Sequence, residues 1–308
     1  MIWWALAILA VAAPIAAPFL AELLRPAMRG AARASAPGQF ADLPGGQTHY
    51  QWIGPADGPL IVCVHGLTTP SYVWHPIADG LARLGFRVLI YDLYGRGFSD
   101  RPRGAQDTAF FVSQLEDLLD VLGVEGRITL IGYSMGGAIA SAFALKHGAR
   151  LRQLVLLAPA GMGHDLGPVA RLVVDYDRFG RWLFMLAYGH SFRSATESER
   201  GLDSSIDNVV DRQQEELRWR GFRPAVLSSL RHALSGDMGD THRAIAACDL
   251  PVLAIWARED EVIPISGLGR LAEWNRNARQ EVIEGAGHAI AYTHDREVVD
   301  LLDILLVR

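Results

Sequence analysis

The sequence predicts an α/β fold: a doubly wound, mostly parallel sheet with an inserted helical cap and, ahead of it, an N-terminal membrane helix. Three observations carry this reading. Apolar runs without alternation recur at Leu60–Val64, Arg87–Tyr91, Arg127–Ile131, Leu151–Leu157 and Pro251–Trp256, as strands covered on both faces do. Helical spacing fills the intervals between them, which is the order of a parallel sheet. Half of the 308 residues are hydrophobic and 20% are charged, so the chain can bury a large core and is not a disordered one. Two cysteines, Cys63 and Cys248, cannot staple a chain of this length and read as free thiols. A net charge of −5, with no basic stripe beyond the N-terminal linker, argues against a nucleic-acid partner.

Taken in order, Met1–Ala21 carries no charge, and about 21 residues at about 1.5 Å each would span the roughly 30 Å apolar core of a bilayer. Residues 1–24 are therefore expected to form a single transmembrane anchor, with Trp3 and Trp4 at one interface and Arg25, Arg29 and Arg33 beyond the other. The positive-inside rule then keeps the following domain cytoplasmic. Export after signal-peptide cleavage is the alternative. Against it stand the missing basic n-region and Pro37, a poor residue after the small-residue match at Ala34–Ala36. Residues 25–44, rich in Ala, Pro, Gly and Arg, read as a linker.

The globular core is expected over residues 45–160 and 248–308. Gln47–Ile53 reads as an antiparallel edge strand, and helices are expected at Trp74–Leu84, Thr108–Leu122 and Ala138–Lys146. In the second of these, Phe111, Leu115, Leu118, Leu119 and Leu122 share one face. A short strand at Gln280–Ile283 and a helix at Glu297–Leu306 close the chain. Residues 161–247 interrupt this order, and a structureless loop of that size does not suit a compact domain. They are expected to form a helical cap, with helices at Arg171–Tyr188 and Asn208–Leu234, over the edge of the sheet where ligands bind.

The chemistry concentrates at Gly132-Tyr133-Ser134-Met135-Gly136, a G-x-S-x-G between a strand and a helix. A sharp strand-to-helix turn crowds the backbone, so small residues are needed two before and two after the serine. The turn lifts the Ser134 hydroxyl above the sheet, beside helix amides that can hold an anion. A serine hydroxyl needs an adjacent base, and the base needs a carboxylate. Among the ten histidines, His288 in Gly285-Ala286-Gly287-His288 follows the last strand on a flexible loop. His294, six positions on, lacks that approach. Asp260, just past the Pro251–Trp256 strand, is the short carboxylate in position, with Glu259 and Glu261 read as solvated charges.

Together with His65-Gly66 and the Asp92–Ser99 segment (DLYGRGFS), these ordered motifs resemble the α/β-hydrolase superfamily over roughly residues 45–308. The resemblance implies Ser134 as nucleophile, Asp260 as acid, His288 as base, and an oxyanion hole from the backbone N–H groups of Leu67 and Met135. His65 is implied to shape its loop and Asp92 to form a tight turn. Ala257 departs from the family pattern, where relatives often have glycine. No metal or cofactor is implied, and no cluster with metal-ligand spacing is present in the sequence.

The overall resemblance is to monoacylglycerol-lipase-like and other small serine carboxylesterases. It implies acyl transfer from a small-molecule or lipid ester with an apolar acyl part. The dense stretch Trp182–Tyr188 would line a pocket, touch lipid or pack the cap. A carbon-carbon hydrolase of ring-cleavage products is the alternative within the superfamily, although those relatives commonly carry Asn where Tyr133 stands. Serine at the nucleophile position disfavours haloalkane dehalogenation, while amidase or perhydrolase chemistry and a noncatalytic ligand-binding member complete the range. No oligomeric state is specified.

Overall fold

The computed structural model describes residues 2–163 and 167–307 of the chain. It begins with helix α1 (Ile2–Leu23), followed by the hairpin β1 (Gln39–Leu43) and β2 (Gly46–Ile53). The first half of the core then runs through β3 (Leu60–Val64), α2 (His75–Arg83), β4 (Arg87–Tyr91), α3 (Thr108–Val121), β5 (Ile128–Tyr133), α4 (Met135–His147) and β6 (Leu151–Leu157). An insertion comes next whose described residues form α5 (Gly167–Asp175), α6 (Asp177–Glu197), α7 (Val209–Glu215), a 3-10 turn (Glu216–Arg218), α8 (Phe222–His232) and α9 (Gly239–Ala246). The core is completed by β7 (Val252–Ala257), α10 (Ser266–Trp274), β8 (Arg279–Ile283), the short α11 (Ile290–Thr293) and α12 (Asp295–Leu305).

The strands form one eight-stranded sheet in the order β1-β2-β4-β3-β5-β6-β7-β8. β2 pairs antiparallel with β1 and β4, and every other pairing is parallel. The apolar runs are explained by the pleat, since successive residues enter opposite faces. Val62 and Val64 join one buried cluster with Leu89, Leu115 and Phe143, whereas Ile61 and Cys63 join the other with Ile90, Leu81 and Leu302. A strand that must be apolar on both sides cannot alternate.

Two stretches expected to be single helices are broken. Tyr176 is extended (φ −105°, ψ 103°) and separates α5 from α6, and Gly180 lets the two pack closely: a methyl there would stand 2.4 Å from the Val173 carbonyl oxygen. Between α7 and α8, extended Trp219 and Gly221 at φ +96° turn the chain. Helical periodicity continues through both points, so neither break shows in the pattern. The expected linker also holds structure, because β1 lies within it and forms the sheet edge in place of β2. Residues 164–166 of the expected cap lie outside the described residues.

The expected membrane-spanning segment is the larger correction. Its residues are helical, but among the described residues no helix is long and apolar enough to cross a membrane. The last turns of α1 belong to the globule. Trp182 Nε1 donates to the Pro14 carbonyl (3.3 Å), Phe19 packs on the insertion's apolar cluster, and buried Glu22 accepts the Gly221 N–H (2.7 Å). The turns ahead of Pro14 cover only about 18 Å, against the roughly 30 Å of a bilayer core.

Candidate active site

Ser134 sits where β5 ends and α4 begins, at φ 55° and ψ −121°. That dihedral is strained for a residue with a side chain, and backbone hydrogen bonds hold it: its N–H donates to Leu157 O (3.0 Å) while its carbonyl accepts Gly137 and Ala160 N–H (2.9 Å each). The flanking glycines serve a different need. A methyl on Gly132 would stand 2.2 Å from the Gly136 carbonyl oxygen, and one on Gly136 would stand 2.1 Å from that of Val64. Close backbone approach thus requires the glycines, and the left-handed conformation falls on the serine itself.

The structure brings Ser134, Asp260 and His288 together. His288 Nε2 lies 3.0 Å from Ser134 Oγ, and His288 Nδ1 lies 2.8 Å from Asp260 Oδ2. The other Asp260 oxygen accepts the N–H groups of Val262 (2.8 Å) and Ile263 (2.7 Å), so both oxygens are oriented by the loop after β7. The loop after β8 turns through Gly285 at φ +74° and is tied to the aspartate loop by Glu259 N–H donating to Ala286 O (2.8 Å). His294 bonds Thr293 Oγ1 (2.9 Å) at the start of α12, and Glu259 and Glu261 are exposed.

The loop after β3 approaches Ser134 closely. A methyl on Gly66 would stand 3.2 Å from Ser134 Cβ and 3.7 Å from its Oγ. Leu67 follows at once, and Met135, the residue after Ser134, opens α4. His65 is fully buried and fully used: its Nε2 accepts Leu93 N–H (2.9 Å), which leaves Nδ1–H to donate to Gly66 O (2.9 Å). Burial brings its pKa down to about 4 against the pull of Asp92, so the ring is neutral and shapes the loop.

Asp92 anchors the same loop from below. Its Oδ1 accepts Ser71 N–H (2.8 Å), and Oδ2 accepts Phe98 N–H (2.9 Å) and meets His49 Nδ1 (2.8 Å). Burial opposes its ionisation, but His49, His65 and the Ser71 hydrogen bond outweigh that and hold its carboxyl well below the usual range. His49 is raised in turn by Asp92 despite its own burial.

Ser134 is 8% exposed, and the insertion meets the loop after β3, where Gln213 Nε2 donates to Thr69 Oγ1 (3.2 Å). Its own cluster includes Phe184, Met185, Phe192, Leu217 and Phe222, and Leu67 packs against it from the core. Two cavities, of about 810 and 530 Å³, lie elsewhere, beside the C-terminal end of α1 and beside Asp92, and neither is lined by Ser134, Asp260 or His288.

Residues 59–295 match the family described as alpha/beta hydrolase fold. The chain belongs to that family. A 2-hydroxymuconate semialdehyde hydrolase of Pseudomonas sp. is 30% identical over 240 residues, 74% of this α/β hydrolase and 79% of its own length. A pimeloyl-(acyl-carrier protein) methyl ester esterase of Aeromonas hydrophila is 26% identical over 253 residues, 80% and 94% of the two chains. The solved structure of a thermophilic esterase from Thermogutta terrifontis superposes with a TM-score of 0.70 at 22% identity, covering 86% of this chain and 97% of that one, which is a likeness of fold.

One contact of this α/β hydrolase is not foreseen from sequence, where Tyr133 serves only to weigh against carbon-carbon hydrolysis. Tyr133 donates its phenol proton to the backbone carbonyl of His288 and stacks on the imidazole. Burial, with Tyr292, Glu199 and Asp260 nearby, pushes the phenol well above its ordinary pKa, so it remains a donor. Its position next to Ser134 was the available signal, but a contact 155 residues away leaves no local pattern.

Proposed function

We propose that the protein is a serine hydrolase of carboxylic esters with apolar acyl groups, acting through an acyl-enzyme. The observation that carries this is the imidazole of His288 held between Ser134 Oγ (3.0 Å) and Asp260 Oδ2 (2.8 Å). Ser134 Oγ attacks the ester carbonyl carbon as its proton passes to His288 Nε2, and Asp260 stabilises the resulting cation. The carbonyl oxygen becomes negative facing the Leu67 and Met135 N–H groups, each worth about 2.7 to 4 kcal/mol to the transition state. The alcohol leaves with the proton from His288; His288 then takes a proton from water as the water oxygen bonds to the acyl carbon, and returns it to Ser134 Oγ as the acid is released. An apolar acyl preference, as for monoacylglycerol-like or other lipid esters, is supported by the packing of Leu67 on the insertion's aromatic cluster.

p-Nitrophenyl esters of graded chain length test the reading. Turnover rising with acyl length and lost in Ser134→Ala is expected; absence of turnover in the intact protein at every length overturns it. The relative named as a 2-hydroxymuconate semialdehyde hydrolase favours a second reading, carbon-carbon hydrolysis of a ring-cleavage product. Tyr133, where such relatives commonly carry Asn, weighs against it. We also propose that α1 holds the enzyme to a lipid bilayer on its cytoplasmic side, with export as the alternative. Support comes from Ile2, Trp3, Trp4, Leu6 and Ile15, all more than half exposed. Vesicle flotation of the full chain, and its loss on removing residues 1–13, is the test.

A further inference from the structure

Arg96, in the turn after β4, is fully buried without a carboxylate among its hydrogen-bond partners. All of its donors are engaged by neutral oxygens. Nε donates to Leu67 O (2.9 Å), Nη1 to Tyr94 O (3.0 Å) and Gln106 Oε1 (2.6 Å), and Nη2 to Ser229 Oγ (2.8 Å) and Ala225 O (3.4 Å). With five N–H groups committed to five acceptors, no donor is left for a ligand, and an anion-binding role is excluded. The arrangement is costly, because a buried cation on neutral partners loses its hydration without a counter-charge in contact. Burial accordingly brings its pKa down to about 9.

The partners say what the cost achieves. Leu67 belongs to the loop that approaches Ser134, while Ala225 and Ser229 belong to α8 of the insertion. The contact is tight: a methyl on Gly95 would stand 2.4 Å from Ala225 Cβ, Ser229 Oγ also donates to Gln106 Oε1 (3.1 Å), and Gln106 N–H donates to Ser228 Oγ (2.9 Å).

We propose that Arg96 is a positioning residue that ties the seating of α8 to the backbone of Leu67, so that the oxyanion hole is set only while the insertion is seated. This rests on the assignment of the Leu67 N–H to the oxyanion hole under the proposed function. The coupling runs through one rigid side chain. Lysine has neither the planar fork nor the five donors to reproduce it.

A fluorophosphonate probe and an ester substrate separate the two readings. In labelling, Ser134 Oγ bonds to phosphorus, fluoride leaves and the hydroxyl proton passes to His288; the step needs the oxyanion hole but no particular acyl group. In the full chain, Ser229→Ala is expected to slow the labelling rate constant about tenfold and Arg96→Lys about 100-fold. The same factors should appear in kcat for p-nitrophenyl butyrate, with KM within about twofold of the parent. The double variant should be no slower than Arg96→Lys alone, since both break one connection. A purely structural staple lowers the labelled fraction and the melting temperature but leaves the rate constant of folded molecules unchanged. Parental labelling rates in folded Ser229→Ala, or factors that multiply in the double variant, overturn the proposal. Should Arg96→Lys not fold, Gln106→Met with Ser229→Ala supplies the same comparison. A parent that labels rapidly yet cleaves no ester removes the ester reading and leaves this one standing.

Discussion

Tyr133 holds His288 at two points. Their ring centroids are 5.4 Å apart with 28° between the planes, and the phenol donates to the histidine's backbone carbonyl. The residue before Ser134 therefore fixes the loop that carries His288. Tyr133→Phe keeps the stack and loses the hydrogen bond. The expected outcome is a fall in stability of about 1 kcal/mol in urea titration, with kcat several-fold lower and KM unchanged.

Asp260 divides its work between two oxygens, and asparagine can keep one share. Asp260→Asn retains an acceptor for Val262 and Ile263 N–H but presents an amide to His288, favouring the wrong tautomer. Ester turnover should drop by about 10⁴-fold. The thermal midpoint should stay within a few degrees. A kcat loss below tenfold would show that the carboxylate is not orienting the imidazole.

Gly66 and Gly136 separate chemistry from folding. At Gly66 the added methyl meets Ser134 Cβ at 3.2 Å, a contact that a small shift relieves, so Gly66→Ala should fold with kcat about tenfold or more reduced. At Gly136 the methyl meets a backbone oxygen at 2.1 Å. Gly136→Ala should lose about 3 kcal/mol or fail to accumulate. Circular dichroism melts and active-site labelling distinguish the two.

Glu216 makes the seam between insertion and core sensitive to pH. It accepts Gly97 N–H (3.0 Å) and faces Arg101 Nη2 at 3.5 Å. Burial nevertheless pushes its pKa up from an ordinary value of 4.5 to about 7, with Arg101 opposing. Between those two values the folded protein keeps a proton that the unfolded chain has released, so this group's contribution to stability declines as pH rises from 4.5 to 7 and is level above that. Glu216→Gln keeps the Gly97 acceptor and removes the titration. Denaturant midpoints from pH 4.5 to 8 should decline less steeply in the variant than in the parent; parallel curves would contradict the assignment.

Shortening the chain from its start should give a two-step result. Removing residues 1–13 should leave the midpoint within about 2 °C, because it spares the Pro14 carbonyl that accepts Trp182 Nε1, the packing of Phe19 and the Glu22 hydrogen bond to Gly221. Removing residues 1–37 strips Glu22 from Gly221 N–H, Arg25 from Leu217 O and Arg33 from Asp100. Orphaned backbone groups cost about 1 to 3 kcal/mol each, and at roughly 2 to 4 °C per kcal/mol a fall of several degrees or more is expected. Differential scanning calorimetry of the three lengths reads this directly.

What was legible in the sequence was what local chemistry dictates. Ser134 announces itself because the elbow demands small neighbours, Asp260 because it is a short carboxylate just past a strand, and His288 because a glycine-rich loop carries it from the last strand. The parallel strands were legible because burial on two faces leaves an unbroken apolar run. Less was visible where a distant partner decides. Tyr176 breaks a helix whose periodicity continues past it, and β1 hides in Gln39–Leu43 because one face of an edge strand is wet. Glu22 gives no hint that it will cap a loop at Gly221. Arg96 looked like one residue of a turn, since its acceptors are scattered from Leu67 to Ser229.

The fastening of Phe19, Glu22 and Arg25 to the insertion has a mechanical corollary. A pull on the first residues of the chain would be borne by the insertion before it reached the sheet. Load on the first residues would then reach α8 at Gly221, and Arg96 would pass it from α8 to the Leu67 carbonyl.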